Sequence, residues 1–88
     1  MRYEIEWRRS ALRKLGKLDP QIARRLKAAV EALSVDPRPA GVVALRGLPG
    51  ALRLRVGDWR IVYEVRDSVL VVLVVDLGHR SEVYRDRS

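Results

Sequence analysis

Residues 52–63, LRLRVGDWRIVY, form the segment that decides the fold. Apolar and polar side chains alternate on both sides of Gly57 and Asp58, and this spacing of two is typical of half-buried strands. A glycine at the first position of a two-residue turn favours a type II′ hairpin. The segment therefore predicts an antiparallel hairpin in which Val56 pairs with Trp59 across the turn.

The predicted register separates the hairpin into an apolar face and a basic face. Counting back from the turn, Arg55 lies directly opposite Arg60, and Arg53 lies one pleat away on the same face. The side chains of the apolar face are Leu52, Leu54, Val56, Trp59, Ile61 and Tyr63. Like charges placed opposite each other disfavour a sheet, whereas several guanidinium groups together bind a phosphate through paired donors. The basic face favours a phosphate ligand, and the alternative is a solvated outer face whose charges are screened by salt.

The part of the chain before the hairpin predicts a strand followed by two helices. Residues 2–7 alternate like a half-buried strand, and residues 8–17 place alanine and leucine on one side of a helix that is otherwise rich in cations. Asp19 and Pro20 suit the cap and the first turn of a second helix. Its apolar residues, three and four positions apart, predict that it runs over residues 20–34.

The remaining segments predict a loop and a last strand. Proline and glycine are frequent in residues 36–50, which favours a loop. Residues 69–77, VLVVLVVDL, are apolar on both faces and predict a central, covered strand that ends at Gly78. The order strand, helix, helix and three strands predicts one α+β domain over residues 1–88. In it a helical hairpin packs on a mixed, mostly antiparallel sheet, whose last three strands form a meander.

The composition limits the possible functions. The 88 residues carry a formal charge of +7, and 15 of the 18 cations are arginine. A nucleic acid, the ribosome, an acidic protein or an acidic membrane surface is therefore the expected partner. The absence of cysteine excludes a disulfide scaffold, and a single histidine excludes the usual multi-histidine metal site. The longest apolar run has seven residues and the N-terminus has no signal-peptide pattern, so we expect a soluble cytoplasmic protein without a cofactor.

The C-terminal tail, GHRSEVYRDRS, brings polar side chains to the end of the last predicted strand. His79, Arg80 and Tyr84 follow Gly78 within six residues. Each of them can be a surface or packing residue by itself. Only their convergence on the basic face of the hairpin would make them candidates for chemistry.

Nearly the whole chain resembles the RelE/ParE superfamily of type II toxin–antitoxin systems, on its RelE side. The resemblance rests on the helical stretch LGKLDPQIARRLKAAVEAL, the basic hairpin LRGLPGALRLRVGDWRIVYEV and the ending VLVVDLGHRSEVYR. It implies the RelE-like fold of microbial ribonuclease toxins. It also implies a metal-independent endoribonuclease that cleaves messenger RNA in the ribosomal A site and inhibits translation.

The resemblance assigns phosphate-binding roles to the hairpin. Arg53 and Arg55 match the two basic positions of its first strand, and Arg60 matches the arginine that holds the phosphate. Some members of the family carry lysine at the positions of Arg53 and Arg55. Because arginine keeps its proton, neither residue can act as a general base in this chain.

The resemblance also assigns the acid/base chemistry to the tail. Arg80 and Tyr84 match the tail pair of the family, and a tail shorter than in some members lets His79 share in proton transfer. Attack by an RNA 2′-hydroxyl on the adjacent phosphorus needs a base, and departure of the 5′-oxygen needs an acid. We expect Tyr84 to be the base and Arg80 or His79 to assist the leaving oxygen, and the assignment among the three stays open.

The implied partners are a cognate antitoxin that wraps and silences the toxin, the ribosome and messenger RNA. Contact with DNA is expected only through the antitoxin. Two other functions fit the same residues. A ParE-like toxin inhibits DNA gyrase by binding, without nuclease chemistry, and a basic module binds RNA without cleavage and with a steep dependence on salt.

Overall fold

The structure is a computed structural model that describes residues 2–79. In chain order its elements are β1 (Glu4–Trp7), α1 (Arg9–Gly16), α2 (Pro20–Ala32), β2 (Val43–Ala44), β3 (Ala51–Val56), β4 (Trp59–Arg66) and β5 (Val71–His79). The five strands of the described residues form one sheet in the order β1-β5-β4-β3-β2. β1 is parallel to β5, and every other neighbouring pair is antiparallel. The predicted α+β fold with a mixed, mostly antiparallel sheet is confirmed.

Local sequence signals mark the end of α1 and the start of α2. α1 ends at Gly16, and α2 begins after Asp19, whose Oδ1 accepts a hydrogen bond from the backbone N–H of Gln21 at 2.8 Å. This carboxylate satisfies a backbone N–H group that has no partner within the helix. Pro20 suits the first turn because its missing N–H group is not needed there.

Apolar side chains of both helices pack on one face of the sheet, and the main core lies between these layers. Its buried side chains are Ala11, Leu15, Leu26, Val30, Leu33, Ile61, Tyr63, Val72, Val74 and Leu77. The apolar face predicted for the hairpin packs against this core. Since side chains alternate along a strand, the arginines of the hairpin lie on the opposite face. Neither helix of the described residues is long and apolar enough to cross a membrane.

The segment predicted as a loop over residues 36–50 contains an additional strand. β2 consists of two exposed residues that pair with Leu52 and Arg53 at the edge of the sheet. Two residues are too few to show an alternating pattern, so the sequence carries no signal for this strand. The predicted meander of three strands is therefore extended by a fourth antiparallel strand.

The last strand is displaced from its predicted range of 69–77. A turn over residues 67–70, in which Leu70 has a φ of 55°, delays its start to Val71. Pairing with β4 then continues through Gly78 to His79. The predicted end at Gly78 is wrong, because His79 is still paired with Trp59, the first residue of β4. The other elements end within about two residues of their predicted bounds, the usual uncertainty of such bounds.

A group of hydrogen bonds closes the end of the sheet that is remote from the hairpin turn. In this Asp67 clamp, the carboxylate of Asp67 accepts the Tyr3 hydroxyl at 2.6 Å and both Nη atoms of Arg38 at 3.2 and 2.8 Å. Beside it the Tyr63 hydroxyl donates to the carbonyl of Pro37 at 2.7 Å, and burial raises the pKa of Tyr63 to about 12. These bonds hold the loop after α2 and the N-terminal segment against the turn between β4 and β5.

The Asp67 clamp predicts that Asp67→Asn destabilises the protein in a pH-dependent way. The Arg38 guanidinium, followed by the Tyr3 hydroxyl, lowers the pKa of Asp67 from 3.8 to about 2. A carboxyl whose pKa is lower in the folded state stabilises the fold while it is ionised. Its contribution is complete above about pH 4 and is lost as the pH falls towards about 2.

Thermal unfolding of the wild type and the Asp67→Asn variant between neutral and acidic pH measures this contribution. We expect a lower Tm for the variant at neutral pH and convergence of the two Tm values near the folded-state pKa. A Tm difference that stays constant over the whole range would contradict the role assigned to the clamp.

Candidate nucleic-acid interface

The hairpin gathers three arginines on the sheet face opposite the main core. The predicted register is confirmed, since Arg55 pairs with Arg60 and Arg53 pairs with Val62. Gly57 has a φ of 63°, a left-handed conformation that the first position of a type II′ turn requires and that glycine adopts without strain. The surface formed by Arg53, Arg55 and Arg60 is called the arginine face below.

The side chains of the arginine face differ in their exposure. Arg60 is only 5 % exposed, Arg53 is half-buried, and Arg55 is exposed. Arg55 is oriented at the tip of the hairpin, where its Nε donates to the carbonyl of Gly57 at 3.3 Å. Because burial lowers the local dielectric constant, a phosphate in contact with Arg60 is attracted more strongly than one on an open surface.

Helix α2 delivers a further cation to the tip of the hairpin. A Cβ atom at Gly57 would lie 3.1 Å from Nη2 of Arg25, so the guanidinium group of Arg25 packs on the turn. Arg55 contacts the carbonyl of the same glycine. The sequence prediction missed Arg25, because its place on a helix gives no indication that it reaches the hairpin.

His79 lies on the other side of the sheet. It is opposite Trp59 in the pairing of β5 with β4, and the two rings meet edge to face with their centroids 5.6 Å apart. Residues that are directly opposite share a face, so His79 stands on the apolar side. Gly78, and not His79, is the residue opposite Arg60. The structure therefore does not bring the His79 ring onto the arginine face.

Two predicted site residues, Arg80 and Tyr84, lie outside the described residues. Their acid/base roles stay predictions, as does the role of His79 in proton transfer. The structure brings together the set that is predicted to bind phosphate, Arg53, Arg55 and Arg60.

The arginine side of the sheet also carries an acidic side chain. Asp76 makes an ion pair with Lys14 of α1, in which Oδ1 and Nζ are 2.7 Å apart. It lies opposite Val62, which itself pairs with Arg53. The sequence prediction missed this ion pair. A signal was present, because Asp76 is the one charged residue of the otherwise apolar stretch 69–77, and an acid in such a strand needs a partner.

Known proteins are similar to this chain in sequence and in fold. The family model described as the ParE toxin of type II toxin–antitoxin systems matches residues 5–84. Toxin RelG of Mycobacterium tuberculosis is 33% identical, over 97% of this chain and 99% of its own. The mRNA interferase toxin RelE of Escherichia coli is also 33% identical, over 98% of this chain and 94% of its own.

The solved structures agree with the sequence relatives. The RelBE2 toxin–antitoxin complex of Mycobacterium tuberculosis matches with a TM-score of 0.82 and 28% identity, over 92% of this chain and 94% of the other. The chain therefore belongs to the ParE toxin family of type II toxin–antitoxin systems. The resemblance to the RelE side of the superfamily is confirmed.

The register predicts electrostatic repulsion between Arg55 and Arg60. Like charges directly opposite in an antiparallel pair are unfavourable, and cross-strand pairs contribute ~0.2–1 kcal/mol. We expect Arg55→Gln, which removes the charge and keeps a donor, to raise the free energy of unfolding by about that amount at low salt. Salt screens the repulsion, so the gain should shrink as ionic strength rises. Chemical denaturation at low and high salt measures both effects, and the absence of any gain at low salt would show that the pair is not strained.

Proposed function

We propose that this toxin is an endoribonuclease that cleaves messenger RNA in the ribosomal A site and thereby inhibits translation. The observation that carries the proposal is the arginine face, where three guanidinium groups share one side of the hairpin and one of them is buried. The Escherichia coli relative is named an mRNA interferase toxin, which supports the same activity for this chain. Cations held at a phosphodiester stabilise the charge that develops on its oxygens during cleavage.

The proposed reaction is an internal displacement at phosphorus. The 2′-oxygen of a nucleotide attacks the adjacent phosphorus, and the bond from phosphorus to the 5′-oxygen breaks. The proton of the 2′-hydroxyl passes to a base, and an acid protonates the departing 5′-oxygen. The products are a 2′,3′-cyclic phosphate and a 5′-hydroxyl. We assign Tyr84 as the base. Arg80 stabilises the negative charge of the departing 5′-oxygen, which takes its proton from water. His79 is the alternative proton donor, and for that role its ring has to leave the apolar side of the sheet.

The arginines supply positive charge rather than proton transfer in this reaction. Arg60, together with Arg53 or Arg55, holds the phosphate and stabilises the charge that develops on its non-bridging oxygens. Guanidinium groups keep their protons and cannot serve as bases. They also favour the phenolate form of a tyrosine nearby, whose ordinary pKa of about 10 makes it a poor base in water. This supply of charge is the basis for proposing a metal-independent enzyme without a cofactor.

The proposed partners of the toxin rest on a solved relative and on the charge of the arginine face. The Mycobacterium tuberculosis structure is a complex of a toxin with its antitoxin, and a cognate antitoxin is the partner of this chain. We propose that the antitoxin wraps the toxin and places an acidic segment against the arginine face, because opposite charges guide and orient association. The ribosome and messenger RNA are the other proposed partners, the site of action is the cytoplasm, and contact with DNA runs through the antitoxin.

Inhibition of DNA gyrase is the second candidate function. The ParE name of the matching family favours it. A gyrase inhibitor of this kind needs a docking surface but neither an acid nor a base, so the two functions differ in whether RNA is cut. A basic module that binds RNA without cleavage is the third candidate, and it would show only salt-sensitive binding.

The nuclease proposal predicts strong effects at two residues. Tyr84→Phe removes the proposed base and should lower cleavage of ribosome-bound message by ~10²–10⁴-fold. Arg60→Ala removes the buried cation and should lower it by ~10²–10³-fold, the usual effect of losing one group that stabilises developing charge. Arg66→Ala is the matched control: Arg66 is on the same strand but pairs with Glu64 at 3.0 Å near the far end, so activity should be retained.

Primer extension on a translated message measures cleavage by the four proteins. Circular dichroism melting shows whether Arg60→Ala is folded, and Arg60→Lys keeps the charge while losing the paired donors. Full activity of both Tyr84→Phe and Arg60→Ala would refute the assignment. A wild-type protein that blocks supercoiling by gyrase and leaves translated message intact would establish the second candidate instead.

A further inference from the structure

A pocket lies beside an irregularity of β5 on the arginine side of the sheet. Val62 of β4 pairs with Asp76, whereas the next residue, Tyr63, pairs with Val74, so Val75 is an extra residue in β5. Such a bulge bends the strand and redirects its side chains. The cavity beside it, called the bulge pocket below, has a volume of about 330 Å³. Its apolar floor and polar rim include Leu48, Val62, Val75, Ser10, Lys14 and Asp76.

The bulge pocket adjoins the arginine face. Val62, in the floor of the pocket, pairs with Arg53 and is two residues from Arg60 along β4. At ~3.4 Å per residue, the Cα atoms of Val62 and Arg60 are about 7 Å apart. The bulge pocket therefore lies next to the residues that are proposed to hold the phosphate.

The carboxylate of Asp76 places a negative charge beside the arginine face, which is otherwise basic. Its Oδ1 accepts hydrogen bonds from Lys14 Nζ at 2.7 Å and from the backbone N–H of Leu77 at 2.9 Å. Within residues 2–79, no hydrogen bond reaches its Oδ2. The side chain is 27% exposed. One oxygen is thus oriented by the protein, and the other is available to a ligand group that donates a hydrogen bond and carries no negative charge.

We propose that the bulge pocket binds a nucleobase next to the cleaved phosphate and that Asp76 selects among the bases. An ionised carboxylate only accepts hydrogen bonds, so it favours the exocyclic amino group of adenine, cytosine or guanine. Uracil lacks this group, and its one donor on that edge, N3–H, lies between two carbonyl oxygens, which the carboxylate repels. Single-stranded bases are recognised in this way, through hydrogen bonds to their exposed edges. The inference rests on the proposed nuclease function and adds to it a preference against uracil at one position beside the cut.

The test is cleavage of ribosome-bound messages that differ only in the bases flanking the cut. The wild type should cleave the message with uracil at one flanking position about 3-fold to 10-fold more slowly than the other three, the worth of one hydrogen bond. Asp76→Asn turns the acceptor into a group that also donates, and should lose this preference. Lys14→Gln breaks the same ion pair but keeps the carboxylate, and should retain it.

Glu64→Gln is the matched control for Asp76→Asn. Glu64 lies on β4, the strand next to β5. It is 28% exposed, makes an ion pair with Arg66 and does not line the bulge pocket. The selecting role is supported if Asp76→Asn loses the preference while Lys14→Gln and Glu64→Gln retain it. If the ion pair were merely structural, the Asp76 and Lys14 variants would behave alike. If Asp76→Asn does not fold, Asp76→Glu takes its place, because it keeps the charge and displaces the acceptor by one methylene, which should change the preference.

The failures of the two proposals are distinguishable. A wild type that cleaves all four messages equally, or an Asp76 variant that keeps the wild-type preference, overturns the selecting role and leaves the nuclease function in place. A folded wild type that cleaves none of the messages overturns both.

Discussion

Arg55 and Arg60 face each other across β3 and β4 because the two-residue turn at Gly57 sets the register of the hairpin. A shift of one residue would bring the arginines onto the core side and expose the apolar face, which the cost of burying charge forbids. The apolar side chains hold the hairpin against the helices, and the same alternation places the arginines on the other side. One register thus produces both the core and the arginine face, so the site is tied to the stability of the fold.

The two ends of β4 have opposite electrostatic character. At its far end the Asp67 clamp pairs Arg38 with a carboxylate, an arrangement that lowers the pKa of Asp67 and stabilises the turn. At the hairpin end, Arg55 and Arg60 stand opposite each other, an arrangement that does not help folding but suits a phosphate. The bulge pocket lies beside this second group and adds an oriented carboxylate to it. In the proposed nuclease, the positive charge attracts the backbone of the RNA, and the pocket distinguishes its bases.

The features that the sequence predicts correctly are those that depend on residues close together along the chain. Alternation and a glycine turn are local signals, and they were enough for the register that places Arg53 opposite Val62. The contacts that were missed join distant residues: Lys14 and Asp76 are 62 positions apart, and Arg25 reaches the hairpin only because α2 packs beside it. No periodic pattern shows such contacts. The roles of the tail residues came from the family resemblance, which local physics could not have supplied.

The central claim is that the arginine face holds the phosphate that is cleaved. Electron cryo-microscopy of the toxin on a ribosome whose message carries a 2′-deoxynucleotide at the cut would show the complex before cleavage. The account predicts that guanidinium nitrogens of Arg60 and of Arg53 or Arg55 lie ~2.7–2.9 Å from the non-bridging oxygens of that phosphate. A phosphate bound on another surface of the toxin, with the arginine face empty, would contradict the account.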